Sequence, residues 1–293
     1  MELTGLLFAL LTAFCFAWSS LFMKKGMYQA STESGVIYTL MANTAMFLLA
    51  LPVLFLVSEP ILNLQGVGYF ALSGLLGPVF GRFSLYGSIR RIGATRSSAI
   101  KITAPVFSAI MAWVILGEFL SLQMITAIII IIGGVYMVIA TPTGASTAPD
   151  AKSGFFLGFL AAFFFAATNV SRKAGLAFVT SALLGSAIST VSALIVFSGY
   201  YLIKGQLKTL LVVDKSSARY FWFGGFLSGI ALFSYFMALK FIPVSVGMAV
   251  ANIEPLFTIL LAHLYRLDDE PISLKFLGGA AVVLLGVSLL VMQ

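Results

Sequence analysis

The sequence predicts an all-α integral membrane protein of ten transmembrane helices, arranged as two inverted repeats of five helices. The first observation is composition: the 293 residues are 60% hydrophobic and only 9% charged, whereas a soluble domain needs far more ionic surface. The second is that apolar runs repeatedly reach the length of about 20 residues that crosses a bilayer. The third is that segments of the first half of the chain recur, in order, in the second half.

Apolar runs bounded by charges, glycine or proline define the ten predicted spans. The first run is retained as a span because its "MELT" start lacks the positive charge of a signal peptide. A linker rich in Ser, Thr, Pro, Gly and Ala at 141–153 separates a first repeat, 1–140, from a second, 154–293. The spans lie near 3–23, 35–57, 66–88, 95–116, 122–140, 154–172, 181–203, 220–239, 244–264 and 274–292.

The two halves are similar at three places. The matched segments are 11–26 with 160–175, 84–107 with 234–257, and 118–123 with 270–275. Because each half has an odd number of spans, the second copy must enter the membrane from the opposite side. Inverted repeats of this kind are typical of carriers that work by alternating access.

Short motifs occur at corresponding places of both halves. The arrangement resembles the EamA family of the drug/metabolite transporter superfamily, with a departure at 262–270, where "AHLYRLDDE" replaces an apolar run ending in Gly-Glu. The resemblance implies a secondary transporter, or exporter, of small metabolites and does not name the substrate. The motifs are "APVF" (104–107), "EPLF" (254–257), "LGEFLS" (116–121), "DEPIS" (269–273) and a "RRIGA" turn (90–94).

Enzyme signatures do not occur in the sequence. There is one histidine, His263, and no metal-binding HExxH, nucleophile-elbow or phosphate-loop motif. We therefore expect a protein that is not an enzyme, has no cofactor or metal, and draws its energy from a gradient rather than from ATP. The basic residues behind the formal net charge of +7 lie mostly between apolar runs. We interpret them as loop residues that anchor the spans, and not as a nucleic-acid-binding surface.

Three charged residues fall deep inside predicted spans, away from the span ends. Arg82 and Lys101 flank the turn between spans three and four at similar depth, about 10 Å from the span ends. Glu254 is the acidic residue predicted at mid-span, and Lys101 aligns with a position three residues before it, on the same helix face. A charge at such depth costs at least about 2.5–3.5 kcal/mol unless it is paired or hydrated. We expect all three to face a cavity between the repeats and to bind substrate.

Other residues are weaker candidates for the same cavity. The aromatic and amide side chains are candidate substrate contacts, although core packing explains the tryptophan better, and helix–helix hydrogen bonds explain the amides equally well. The prolines follow the mid-span charges at matching places and are candidate hinges. The contacts are Tyr86, Trp18, Asn43, Asn169 and Asn252, and the hinges are Pro105 and Pro255.

Two structural alternatives stay open. Arg82, Lys101 and Glu254 can form an internal ion pair or triad that joins the repeats without touching substrate. In the substrate-binding alternative, the cations receive a carboxylate or phosphate, and Glu254 receives an ammonium group or a proton.

The leading function is export of small polar metabolites with an anionic group, such as amino acids. The alternatives are efflux of cationic or aromatic drugs and a non-transporting component such as a lipid-handling protein.

Orientation and partners follow from the charges and the resemblance. Twelve Lys and Arg residues lie in loops on one side and three, Arg172, Lys173 and Lys240, on the other. The positive-inside rule places the twelve in the cytoplasm and both termini outside, whereas the resemblance implies cytoplasmic termini. The expected partners are a small-molecule substrate, the lipid bilayer of a bacterial or archaeal cell membrane, and protons as a coupling ion. The oligomeric state is left open, with a homodimer as one alternative.

Overall fold

The computed structural model describes residues 2–57, 62–116, 121–139, 150–242, 244–265 and 274–291, and within these ranges every regular element is a helix. Residues 141–149 of the predicted linker (141–153), motif residues 117–120 and residues 266–273 lie outside the described residues. In chain order the helices are α1 (Glu2–Gly26), α2 (Thr32–Val57), α3 (Leu64–Ile92), α4a (Ala94–Lys101), α4b (Ala104–Leu116), α5 (Leu122–Ile139), α6 (Ala151–Phe178), α7 (Ala182–Ile203), α8 (Lys215–Phe241), α9a (Val244–Ala251), α9b (Glu254–Tyr265) and α10 (Leu274–Val291), with a five-residue helix at Leu207–Leu211.

Six of these helices are long and apolar enough to cross a membrane, namely α1, α2, α3, α6, α7 and α8. The other four predicted spans coincide with shorter elements: the divided helices α4a/α4b and α9a/α9b, and α5 and α10 with 18 residues each. The all-helical membrane class is therefore confirmed among the described residues, while ten complete crossings remain a prediction. The sixth span begins three residues before its predicted start and ends six residues after its predicted end.

Matching polar residues begin the second and third helices of each half. At the starts of α2 and α7, the hydroxyl oxygens of Ser31 and Ser181 each accept a hydrogen bond from the backbone N–H three residues later, with N–O distances of 3.1 and 3.3 Å. Asn63 and Asp214 do the same for α3 and α8, with contacts of 2.8 Å and 2.9 Å to amides two and three residues later. These caps satisfy amides that have no partner within the helix. Gly93, with φ of 85°, makes the turn between α3 and α4a.

The two halves pack on each other in matched pairs. Helix α1 contacts α8 as α6 contacts α3, α1 contacts both parts of α9 as α6 contacts both parts of α4, and α5 packs on α10. Individual residues follow the same rule: Gly26 lies against the ring of Phe221, and Gly175 lies against the ring of Phe70. The core therefore lies between the halves, where six helices meet.

Candidate functional site: a basic cavity between the halves

A cavity of about 100 Å³ lies where α1, α3, α4, α6, α8 and α9 converge. At about 15 Å³ for each ordered water, it has room for on the order of seven waters. Its wall contains six of the eight predicted contact residues: Arg82, Lys101, Glu254, Tyr86, Asn169 and Asn252. The structure thus brings together residues that are up to 172 positions apart in the chain.

The divided helices place two opposite charges at the cavity. Helix α4 is interrupted after Lys101, and α9 resumes at Glu254, so the lysine is the last residue of one half-helix and the glutamate is the first of another. A cation at a helix C-terminus and an anion at an N-terminus are both stabilised by the helix dipole. Pro105 and Pro255 are the second residues of α4b and α9b, a position where the missing proline N–H has no helical partner to lose.

Lys101 and Glu254 form an ion pair across the two halves. The glutamate side chain is buried and also accepts a hydrogen bond from the hydroxyl of Ser20, at 3.1 Å. The lysine Nζ lies 5.5 Å from the ring centroid of Phe16 and 5.7 Å from that of Phe165, which are equivalent residues of the two repeats. Such cation–π contacts add to the stability of a desolvated ammonium group.

Arg82 does not join this ion pair. It follows directly after a π-helical segment of α3, Leu75–Gly81, and π segments are frequent at functional sites. Its Nη2 donates to the hydroxyl of Ser228 at 2.5 Å, while its buried Nη1 has no hydrogen-bond partner in the protein. Of the ion pair or triad that the sequence left open, the structure contains the Lys101–Glu254 pair, and Arg82 is held by a neutral serine.

Arg172 is a cavity residue that the sequence analysis did not identify. The sequence assigned it to a loop, but α6 continues to Phe178, so Arg172 is inside the helix and only 7% exposed. Its Nη1 donates to Oδ1 of Asn169 at 3.3 Å, its guanidinium lies 5.0 Å from the ring centroid of Phe236, and its Nε has no partner. The apolar "AGLAF" that follows the Arg-Lys pair was the available signal that the helix continues.

Further donors of the cavity wall lack protein partners. The hydroxyl of Tyr235 and Nδ2 of Asn252 are buried without a hydrogen bond, and both residues line the cavity. Tyr86 is 4% exposed, and its hydroxyl lies 3.5 Å from that of Thr39. Buried polar groups are nearly always hydrogen-bonded in proteins. A cluster of unpartnered donors around one cavity therefore indicates a site for an acceptor.

The structure does not bring Trp18 and Asn43 to this cavity. Trp18 lies two residues from both Phe16 and Ser20, on a different face of α1, where it stacks on Phe22 and Tyr265 with centroid distances of 5.4 and 5.1 Å. Asn43 is fully buried in α2 beside Gly229. A residue two positions along a helix points to another side, which explains the placement of Trp18.

The cavity is built from equivalent positions of the repeats that carry unlike side chains. Arg82 has Leu232 as its counterpart, Lys101 has Ala251, Glu254 has Ala104 and Asn169 has Ser20, and each of these eight residues lines the wall. Among the described lining residues, three are cations and one is a carboxylate. The repeated fold forms the cavity. Its positive charge comes from cations that occur in one repeat and not at the equivalent position of the other.

Two residues in the orientation count belong to the interior. Arg96, counted among the twelve, is 4% exposed in α4a, and Arg172, counted among the three, faces the cavity. Removing both leaves eleven cations against two. The charge count still favours the orientation with both termini outside. In the described part of the chain, no group of three or more His, Cys, Asp or Glu side chains is arranged to hold a metal.

Comparisons with known proteins agree with this architecture. The model of the EamA-like transporter family matches residues 3–140 and again 152–292. The chain is 25% identical over 294 aligned residues to a protein of Archaeoglobus fulgidus described as an uncharacterized transporter, and the alignment covers 98% of each chain. A crystal structure covering 99% of this chain and 96% of its own superposes with a TM-score of 0.69 at 13% identity, which shows the fold alone. Both halves of the chain match, and the chain therefore belongs to the EamA-like transporter family of the drug/metabolite transporter superfamily.

Proposed function

We propose that this membrane transporter moves small metabolites bearing an anionic group, such as amino acids, outward across a bacterial or archaeal cell membrane. The observation that carries the proposal is the pair of buried guanidinium groups, Arg82 and Arg172, which line one cavity and keep unpartnered N–H groups there. Arginine offers donors and no acceptor, and planar guanidinium groups match the geometry of carboxylate and phosphate.

The charge balance supports an anion over a cation. If Lys101 and Glu254 neutralise each other, Arg82 and Arg172 leave two positive charges in the cavity wall. Each uncompensated charge at membrane depth costs at least about 2.5–3.5 kcal/mol. A bound anion reduces that cost, whereas a cationic drug increases it, which disfavours the drug-efflux alternative.

An amino acid would use the cavity in two parts. Its carboxylate would bind Arg82 and Arg172, and its ammonium group would need Glu254, which Lys101 and Ser20 now occupy. Binding would therefore have to separate the ion pair. The same separation would let Glu254 take up a proton, and this is how we propose that substrate binding is coupled to a proton gradient.

Alternating access would follow from the repeats and the divided helices. The breaks after Lys101 and before Glu254 occur at equivalent positions, and irregular backbone inside a membrane protein is typical of substrate sites. Rocking of one half against the other about Pro105 and Pro255 would expose the cavity to each side in turn. If the charged residues served only to hold the two halves together, Arg82 and Arg172 would not be needed, because neither forms part of the Lys101–Glu254 pair.

The experiment is a thermal-unfolding screen of the purified protein against amino acids, organic acids, nucleosides and cationic dyes. A ligand that binds the folded form raises the melting temperature by mass action, equivalent to about 2.7 kcal/mol at 100 times its Kd. We expect anionic compounds to raise it and cationic dyes to leave it unchanged, and the Arg82→Gln variant to lose the response. Stabilisation by cationic dyes alone would contradict the proposal.

A further inference from the structure

Four buried side-chain atoms in the described part of the cavity wall lack a hydrogen-bond partner, and each of them can donate. They are Nη1 of Arg82, Nε of Arg172, the hydroxyl of Tyr235 and Nδ2 of Asn252. A tyrosine hydroxyl can also accept a hydrogen bond, but the other three groups can only donate. A ligand group that binds these atoms therefore has to supply acceptor atoms.

The partners of the two guanidinium groups are neutral. Arg82 donates to a serine hydroxyl, and Arg172 donates to an asparagine amide oxygen. Glu254, the carboxylate found among the described lining residues, pairs with Lys101 and accepts a hydrogen bond from Ser20. The described wall thus carries a net charge of two positive units while that ion pair is closed and both guanidinium groups are charged.

These observations narrow the substrate class, on the basis of the function proposed above. We propose that the preferred substrate carries two negative charges, as a dicarboxylate or a phosphate monoester does, and that Arg82 and Arg172 together bind this dianion. A dianion satisfies both guanidinium groups and brings the net charge of the described wall to zero. A zwitterion leaves one guanidinium uncompensated and brings an ammonium group to a carboxylate that is already paired.

The cavity limits the ligand to a small molecule. With room for on the order of seven waters, it suits a compact metabolite of comparable heavy-atom number. Phe16 and Phe165 enclose Lys101 on the α1 and α6 sides, whereas Arg82 and Arg172 keep unpartnered donors. The dianion is therefore expected to bind at the two arginines.

The test is isothermal titration calorimetry of the full-length protein in detergent with three probes of matched length. Succinate carries two carboxylates, and succinamate has a neutral amide in place of one of them. In 4-aminobutanoate an aminomethyl group, which is a cation, takes the place of one carboxylate. Because a hydrogen bond to a charged group is worth about a factor of ten in affinity, we expect succinate to bind at least about tenfold more tightly than succinamate, with 4-aminobutanoate weakest. Glycerol 3-phosphate, in a parallel titration, distinguishes a phosphate monoester from a dicarboxylate as the source of the two charges.

The variants separate this inference from the proposed function. Arg172→Gln should reduce the affinity for succinate to that for succinamate, and Arg172→Lys should retain part of the preference because the charge remains. The melting temperature of each variant shows whether it is folded. Equal binding of succinate and succinamate, or tighter binding of 4-aminobutanoate, overturns the dianion inference and leaves an anion carrier intact. Failure of every anionic probe, phosphate included, overturns both.

Discussion

The ion pair between the halves allows a quantitative prediction for Lys101→Met. The Glu254 side chain is only 2% exposed, so the variant leaves a buried carboxylate with Ser20 as its remaining side-chain partner. Removing one member of a buried pair costs about 3–5 kcal/mol, and the retained serine hydrogen bond favours the lower end. At about 2–4 °C for each kcal/mol in chains of comparable size, the apparent melting temperature should fall by about 6–12 °C.

The assay is thermal unfolding of the parent, Lys101→Met, Glu254→Gln and the double variant in one detergent. The double variant should recover most of the loss, because replacing both members of a buried pair is often neutral, and the cycle isolates their coupling. Lys208→Met removes an exposed lysine and should stay within about 0.5 kcal/mol of the parent. Additive losses in the double variant would refute the reasoning, since they would mean that the two side chains do not interact.

Three further predictions concern single positions. Glu254→Gln should abolish substrate accumulation driven by a pH gradient in reconstituted vesicles while sparing some downhill exchange. The control Glu33→Gln, outside the cavity, should accumulate substrate normally. If Glu254→Gln vesicles accumulate substrate against the substrate gradient, this carboxyl is structural. Gly175→Ala places a methyl group 2.6 Å from a buried phenylalanine ring and should destabilise by about 1–3 kcal/mol, whereas Gly199→Ala meets nothing within 4 Å and should not lower the melting temperature. Hydrogen bonds from Ser217, chiefly from its side chain and then from its backbone amide, lower the pKa of the Asp214 carboxyl. The carboxylate therefore stabilises the fold above the ordinary aspartate pKa, and this stabilisation is lost as the pH falls through the lowered pKa. Asp214→Asn keeps the cap and should remove this pH dependence of the melting temperature.

The repeat pattern accounts for what the sequence could predict. Apolar runs and their boundaries indicate helices because membrane length and charge placement constrain every span, and the alignment of the halves indicates which helices are equivalent. Arg82, Lys101 and Glu254 were identifiable for the same reason, since a charge within an apolar run needs an interior environment. The cavity that they share is consistent with that expectation.

The missing parts depend on where helices end and which way they face. Arg172 was counted with the loop cations because the sixth span was predicted to end there, whereas α6 extends six residues beyond it. The pairing of Lys101 with Glu254, rather than of Arg82 with Glu254, depends on the two breaks that bring the half-helix ends together. Trp18 was a candidate by depth alone, and its side of α1 is fixed by packing against Phe22 and Tyr265.

The most direct test of the central claim is transport by reconstituted vesicles with the best-binding anion of the thermal screen as the labelled probe. Parent vesicles preloaded with unlabelled anion should exchange it for labelled anion, and so should vesicles with Arg90→Gln, which changes an exposed arginine outside the cavity. The Arg82→Gln, Arg172→Gln double variant, verified as folded and inserted, should exchange at the rate of protein-free vesicles. Exchange by that double variant at the parent rate would contradict the claim that the two buried guanidinium groups bind the transported anion.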